Sequence, residues 1–504
     1  MKSLRLLVLL IPGLLSAQRY DATPLPDSLY DATIGVKKIE EPNIPENVRE
    51  ITEFGGVGDG QHDNTGAFDK AFRTLASQKG GTLIVPRGIW LTGPIVFRSN
   101  INLHLKRGAL ILFTPDKSRY PICDIPFEGY ETKRCQSPIT GKGLENIAIT
   151  GEGVIDGNGD VWRAVKKSKV SPPEWKRLVK SGGVVENDQW FPSQGYLDGL
   201  HQVKDQNVPD IKNDTAWEHI RDFLRPVMVS FVECKNVTLD GVTFQNSPAW
   251  CLHPLLCKNL RISNVTVRNP WYSQNGDGLD IESCSNVIVW NSSFDVGDDA
   301  ICIKSGKDED GRRRGVPTKG VVVSGCTVYH GHGGFVVGSE MSGGVEDISV
   351  KDCLFLGTDV GLRFKSTRGR GGVVRNIYIE DIRMKDIQKE AILFDLWYQQ
   401  KGIVQDTVEV PVDETTPAFR DIDIRGIRCR GAKQAILLRG LPEKPLERIS
   451  MKDILISSEK GIGLYNTDHV SLENIRIDHQ KGQLIEQQQS KNLRIKKVET
   501  YEKQ

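Results

Sequence analysis

From about residue 236 the chain repeats itself, and that repeat restricts the possible folds more than any other feature. The segments NVTLDGVTF (236–244), NLRISNVTV (259–267), NVIVWNSSF (286–294), GVVVSGCTV (320–328), DISVKDCLF (347–355), NIYIEDIRM (376–384), DIDIRGIRC (421–429), RISMKDILI (448–456), HVSLENIRI (469–477) and NLRIKKVET (492–500) alternate apolar and polar residues, turn, mostly at Gly, Asn or Asp, and alternate again. Period-two alternation is the signature of strands. Unbroken repeat starts lie 21 (448 to 469) to 29 (347 to 376) residues apart; the longer steps, 34 (286 to 320) and 45 (376 to 421), carry insertions. A period of twenty-odd residues built only from short strands predicts an all-β, right-handed parallel β-helix, because each rung can bury its apolar face only against its neighbours. A β-propeller needs repeats nearer forty residues and a blade motif that is not present.

Aligning the rungs gives a core column of Val242, Val265, Ser292, Cys326, Cys353, Ile382, Ile427, Ile454 and Ile475. Cys326 and Cys353 stand where neighbouring rungs place Val or Ile, so they read as reduced core residues; the pairing of the other cysteines, ten in all, stays open. TGAFDKAFRTLASQ (65–78) sets Phe68, Ala71, Phe72 and Leu75 at helical spacing and predicts a short helix capping the N-terminal end of the solenoid. Earlier rungs are visible in GTLIVP (81–86), NINLHL (100–105) and NIAITGEGVIDGNG (146–159). The repeat vanishes between about 157 and 225, a stretch rich in Lys and Trp, which predicts a large excursion beside a binding site.

The N-terminus, MKSLRLLVLLIPGLLSAQ, has a basic start, an apolar run and Ser16-Ala17, the layout of a secretory signal peptide over residues 1–17. Residues 18–50 then form an N-terminal segment and 51–504 the β-helix domain. The apolar run is too short for a membrane span. Export implies a periplasmic or secreted protein, expected to be a monomer. Lys plus Arg, 66, balance Asp plus Glu, 65, so no global positive field points to nucleic acid.

A second strand column follows from the same alignment: GLDIES (278–283), AICIKS (300–305), GFVVGS (334–339), GLRFKS (361–366) and AILFDL (391–396). Equivalent positions on successive rungs lie about 4.8 Å apart. Asp277 and Asp299 immediately precede this strand on adjacent rungs, and Asp298 stands beside Asp299. His332 matches Asp298 one rung on, and Arg363 and Lys365 point the same way a rung later. Three carboxylates, a histidine and two cations therefore gather on one face. Crowded carboxylates do not all ionise easily, so one acts as an acid while another stays ionised, the pairing that glycosidic cleavage needs. Arg363 and Lys365, with no carboxylates at their own strand positions, suit an anionic group on the substrate. Asp280 and Glu282 share this face and read equally well as substrate contacts or solvated residues. Calcium is the rival use of clustered carboxylates, but the next rungs supply His, Arg and Lys rather than more oxygen ligands; no metal or cofactor is expected.

These motifs resemble glycoside hydrolase family 28, the polygalacturonases. The family's Asn-Thr-Asp, Gly-Asp-Asp, Gly-His-Gly and Arg-Ile-Lys are matched in order by Asn275-Gly276-Asp277, Gly297-Asp298-Asp299, Gly331-His332-Gly333 and Arg363-Phe364-Lys365. The similarity runs from EFGGVGDGQHDNTGAF near residue 51 to near the C-terminus, least across 157–225. It implies a pectin-lyase-like solenoid and an inverting hydrolase of α-1,4-linked galacturonic acid in pectin. By that resemblance Asp298 is the general acid, Asp277 and Asp299 hold the attacking water, and His332 tunes the acid. Arg363 and Lys365 bind the galacturonate carboxylate, Tyr398 contacts substrate, and Asn275 belongs to the same site. Gly276 for Thr loosens a turn, and Phe364 for Ile faces the core. NSPAWCLHP (246–254) and GSEMSGGV (338–345) resemble the exo-acting branch, and the 157–225 insertion is expected to wall off one end of the groove. Endo-cleavage, hydrolysis of rhamnogalacturonan, a calcium-dependent lyase and a non-catalytic carbohydrate-binding β-helix are the alternatives.

Overall fold

The computed structural model describes residues 23–30, 34–203, 209, 211, 213–399 and 408–501; the expected signal peptide lies outside them. The repeats stack as a parallel β-helix. One coil runs through strands Lys258–Ser263, Thr266–Arg268 and Leu279–Glu282, the next through Ser285–Trp290, Ser293–Asp295 and Asp299–Lys304. Each strand pairs in parallel with its counterpart one coil on, in registers Leu260 to Val287, Val267 to Phe294 and Leu279 to Ile301. Three long sheets thus enclose one core, and the alternation in the sequence is the alternation between core and outer face.

The expected column from Val242 to Ile475 is buried throughout, with Cys326 and Cys353 no more than 2% exposed. All ten cysteines are free thiols. Cys234, Cys257 and Cys284 stack on successive rungs, the amide of each of the first two facing the sulfur of the next at 3.4 and 3.3 Å.

Corners are set by residues that tolerate left-handed backbone, Asn above all. Asn100, Asn146, Asn236, Asn259 and Asn286 all have φ between 55 and 65°. Their side chains form a ladder in which Asn146 donates to Asn100, Asn236 to Asn146, Asn259 to Asn236 and Asn286 to Asn259, at 2.5–3.0 Å. The top of that ladder accepts the backbone N–H of Lys37. There the N-terminal segment lies on the outer face of a sheet, packing Ile34, Val36 and Ile39 against Ile288 and Val322. The first strand, Val48–Glu50, begins just ahead of the expected boundary at 51 and pairs with Gly81–Val85.

Helix Thr65–Ser77 buries Phe68, Ala71, Phe72 and Leu75 against the first coils, as its periodicity predicts. It is not the only helix. The 157–225 excursion contains Pro172–Lys180, Gln194–Gln202 and Asp214–His219, a small antiparallel sheet, and its own core around Trp162, Tyr196, Trp217 and Phe223. A further short helix, Asp308–Arg314, leaves the opposite corner. A second excursion was not foreseen: an antiparallel hairpin, Ile122–Phe127 and Tyr130–Cys135. Its two-residue tip, Glu128 and Gly129, has φ of 48 and 80°, the mirror-image turn that suits a twisted hairpin.

Candidate active site

Four neighbouring strands, Leu279–Glu282, Asp299–Lys304, Gly333–Val337 and Val360–Lys365, build the floor of the site. The register Leu279 to Ile301 sets Asp277 level with Asp299, Asp299 to Gly333 sets Asp298 level with His332, and Val336 pairs with Arg363. The stacked arrangement read from the sequence is therefore present. Carboxylate oxygens of Asp277, Asp298 and Asp299 lie within 4.8 Å of one another.

Each of the three has a different environment. Asp298 is part-exposed and accepts from His332 Nδ1 at 2.9 Å and from the backbone N–H of Asp299 at 3.0 Å and of Asn275 at 3.3 Å. Burial pushes its carboxyl up, but the bond and charge of His332 outweigh that and hold it below the usual range. His332 is raised in return: burial opposes its charge, and Asp298 more than compensates. Asp299 is 1% exposed. Burial is again the largest influence, overcome by Lys365 and Arg363, so this carboxylate stays ionised. Asp277 is 3% exposed with no hydrogen-bond partner on Oδ1. Burial first, then the carboxylates of Asp280 and Asp298, push it well above the ordinary value. The crowding expected from the sequence thus raises Asp277 and not Asp298.

One expectation is corrected. Arg363 and Lys365 do not stand free of carboxylates: Arg363 Nη1 donates to one oxygen of Asp299 at 3.0 Å and Lys365 Nζ to the other at 2.7 Å. Strand-by-strand reading missed this because Asp299 comes from two rungs earlier and reaches along the face. Lys365 lines the pocket while Arg363 does not. Both cations lie near the Tyr398 ring, 5.7 and 5.0 Å from its centre. Phe364 faces the core and stacks on Phe394 at 4.2 Å, as expected. Asn275 is tied on three sides: its amide donates to Glu128 at 2.9 Å, its carbonyl accepts from Arg225, and its N–H meets Asp298.

Asp280 and Glu282 are neither solvated nor pocket-lining; both are wholly buried. Glu282 is held by His253 at 2.8 Å and Arg314 at 2.6 Å, and burial, which would raise it, loses to these partners and leaves it at about 2. Asp280 lies 3.5 Å from Lys304, whose ammonium also meets Glu340 at 2.9 Å and sits 4.3 Å over Trp250.

These surroundings enclose a pocket of about 400 Å³. The sequence reading had not singled out Lys304, Lys307, Glu340, Trp250, Arg370 or Glu128, all of which line it. Trp250 and Glu340 fall in the two segments that resembled the exo-acting branch, so that likeness was their one sequence signal. With both oxygens of Asp299 already bonded to cations, the cluster is short of free oxygen ligands for a metal ion.

A solenoid of parallel rungs bearing three crowded carboxylates, a histidine and two cations in and around a polar pocket defines a β-helical glycoside hydrolase. Residues 218–463 match the model of "Glycosyl hydrolases family 28". The fold aligns with the crystal structure of a hyperthermoactive exopolygalacturonase from Thermotoga maritima at 32% identity and TM-score 0.72, covering 93% of this chain and 96% of that one. A probable polygalacturonase of Vitis vinifera is 29% identical over 81% of this chain and 73% of its own length. The exo-poly-alpha-D-galacturonosidase of Dickeya chrysanthemi is 27% identical over 79% of this chain, which spans 65% of that relative's length. The chain belongs to glycoside hydrolase family 28.

Proposed function

We propose that this enzyme hydrolyses α-1,4-linked galacturonan with inversion, acting on non-reducing ends of homogalacturonan or oligogalacturonides to release galacturonic acid. The observation that carries this reading is the cluster of three aspartates within 4.8 Å beside Lys365, in a polar pocket. Asp298 protonates the leaving oxygen. In the free enzyme its proton rests on His332, whose pKa is raised as that of Asp298 is lowered, so the pair acts as one acid. Asp299, ionised by its two cations, and Asp277 hold the attacking water between them, and Asp299 orients it as base. The substrate carboxylate approaches Lys365 from the pocket side, sharing it with Asp299, with Arg363 behind and Tyr398 and Asn275 bordering the sugars. The separation of the carboxylates is below the ~6.5–9.5 Å of most inverting pairs, so stereochemistry is a direct test.

The experiment is time-resolved chromatography and proton NMR of products from defined oligogalacturonides, with Asp298→Asn as control. Monomer alone from the first time point, appearing as the β-anomer and lost in the variant, supports the reading. A ladder of intermediate oligomers means endo-cleavage, an α-anomer means retention, and a 4,5-unsaturated product sensitive to chelators means a lyase. Absence of product from every pectic oligomer favours a binding protein. Residues 1–17 act as an export signal in this proposal, placing a monomeric enzyme in the periplasm or outside the cell; N-terminal sequencing of the mature protein and light scattering test both. Among the described residues no helix is long and apolar enough to cross a membrane.

A further inference from the structure

Two segments from opposite corners of the solenoid meet above the site. The tip of the hairpin reaches across to the segment around helix Asp308–Arg314. Lys307 N–H donates to the Gly129 carbonyl at 3.2 Å, the Tyr130 hydroxyl bonds the Asp308 carboxylate, and Arg314 pairs with Glu131 at 3.5 Å. The fit is tight: a Cβ on Gly129, at φ +80°, would lie 2.7 Å from the Lys307 nitrogen. The span that closes the groove is therefore this hairpin, with the 157–225 excursion packed behind it.

Two polar groups on the inner side of the span are left with capacity. Glu128, 7% exposed, receives the Asn275 amide on Oε1, and among the described residues none bonds its other oxygen. Burial, then Glu340, raises its carboxyl, which favours the proton-donating form. Lys307 forms no ion pair among the described residues; its ammonium lies 4.6 Å over the Tyr130 ring. Asn275 links Glu128 on its side chain to Asp298 on its backbone, so wall and acid are one residue apart. In an α-1,4 chain O4 of every internal sugar is consumed by the linkage, and only the non-reducing terminal residue carries a free O4–H. A hydrogen-bonding group on a wall that closes the pocket beside the acid distinguishes an end from a chain.

We infer that Glu128 and Lys307 form the binding subsite for the terminal galacturonyl residue, Glu128 bonding its free 4-hydroxyl and Lys307 taking its carboxylate. The inference rests on the galacturonan reading above. It predicts discrimination between saturated trigalacturonate and the 4,5-unsaturated trimer, which lacks the 4-hydroxyl. The full-length mature enzyme should prefer the saturated trimer by at least about 100-fold in kcat/KM, since a buried polar group left unpaired is costly. Glu128→Ala should reduce that preference at least tenfold through the saturated substrate alone, with Glu128→Gln restoring it. Lys307→Met should raise KM for the saturated trimer about tenfold, with Lys307→Arg recovering most of it. An unchanged preference in a Glu128→Ala enzyme that melts like the wild type overturns the inference and leaves galacturonan hydrolysis standing. If Glu128→Ala does not fold, an unchanged KM in Lys307→Met overturns it. A wild-type enzyme that cleaves neither trimer nor polygalacturonate overturns the galacturonan reading itself.

Discussion

The same sheet carries two kinds of charged rung. Beyond the site, Asp395 and Arg439 face each other on neighbouring strands, both Asp395 oxygens 2.8 Å from one Arg439 nitrogen. That is one charge answered by one. Within the site, Asp277 has an oxygen without a partner, while Asp298 takes His332 and Asp299 takes two cations. The backbone is equivalent in the two regions, so the imbalance belongs to the side chains. A repeat able to match one carboxylate with one cation at Asp395 and Arg439 has matched its catalytic carboxylates unevenly, and unbalanced titratable groups in a pocket mark chemistry.

Breaking each region separately tests the contrast. The largest effect is expected for Asp298→Asn, which should lower kcat by ~10²–10⁴ with little change in melting, as measured by initial rates and calorimetry. Lys365→Met removes a counter-charge from buried Asp299 and should cost about 3–5 kcal/mol in denaturant unfolding. It should also move the acid limb of the pH–rate profile upward, because Asp299 is held low by the cation it loses. The sign is fixed by linkage: a depressed carboxylate stabilises above its unfolded pKa and loses that contribution as pH falls, so the variant's deficit should shrink in acid. Arg439→Met, on the balanced rung, should cost only about 1–3 kcal/mol and leave kcat unchanged. An activity loss there to match Lys365→Met would erase the distinction. The smallest effect sharpens the comparison. Wild-type kcat/KM should fall as pH rises through the raised pKa of His332, above 6.5, and in His332→Ala that falling limb should move to lower pH.

The division between balanced and unbalanced rungs also explains what was legible in the sequence. Stacking is a one-residue-to-one-residue rule, so Asp277, Asp299, Asp298 and His332 could be brought together by alignment alone. The rule is silent about side chains that reach along the face, which is why the grip of Arg363 and Lys365 on Asp299 was missed. It is equally silent about chain outside the repeat. The hairpin sits in ICDIPFEGYETKRC, where alternation is weak and the only local cue is a Glu-Gly pair between two strand-length segments. Asp280 and Glu282 misled for another reason: outward on a strand was taken as toward solvent or substrate, but Trp250, Lys304, Arg314 and Glu340 bury that face.

The bridge over the site has a consequence for the order of assembly. Tyr130 and Asp308 are 178 residues apart in the chain, and the coils between them supply the strands that set their separation. Loop closure over that length cannot precede the scaffold that spans it. The span therefore locks after the coils it bridges have stacked. A molecule arrested before that moment would have its aspartates stacked and its groove open at both ends, an enzyme complete in its chemistry before it has acquired its manners toward the substrate.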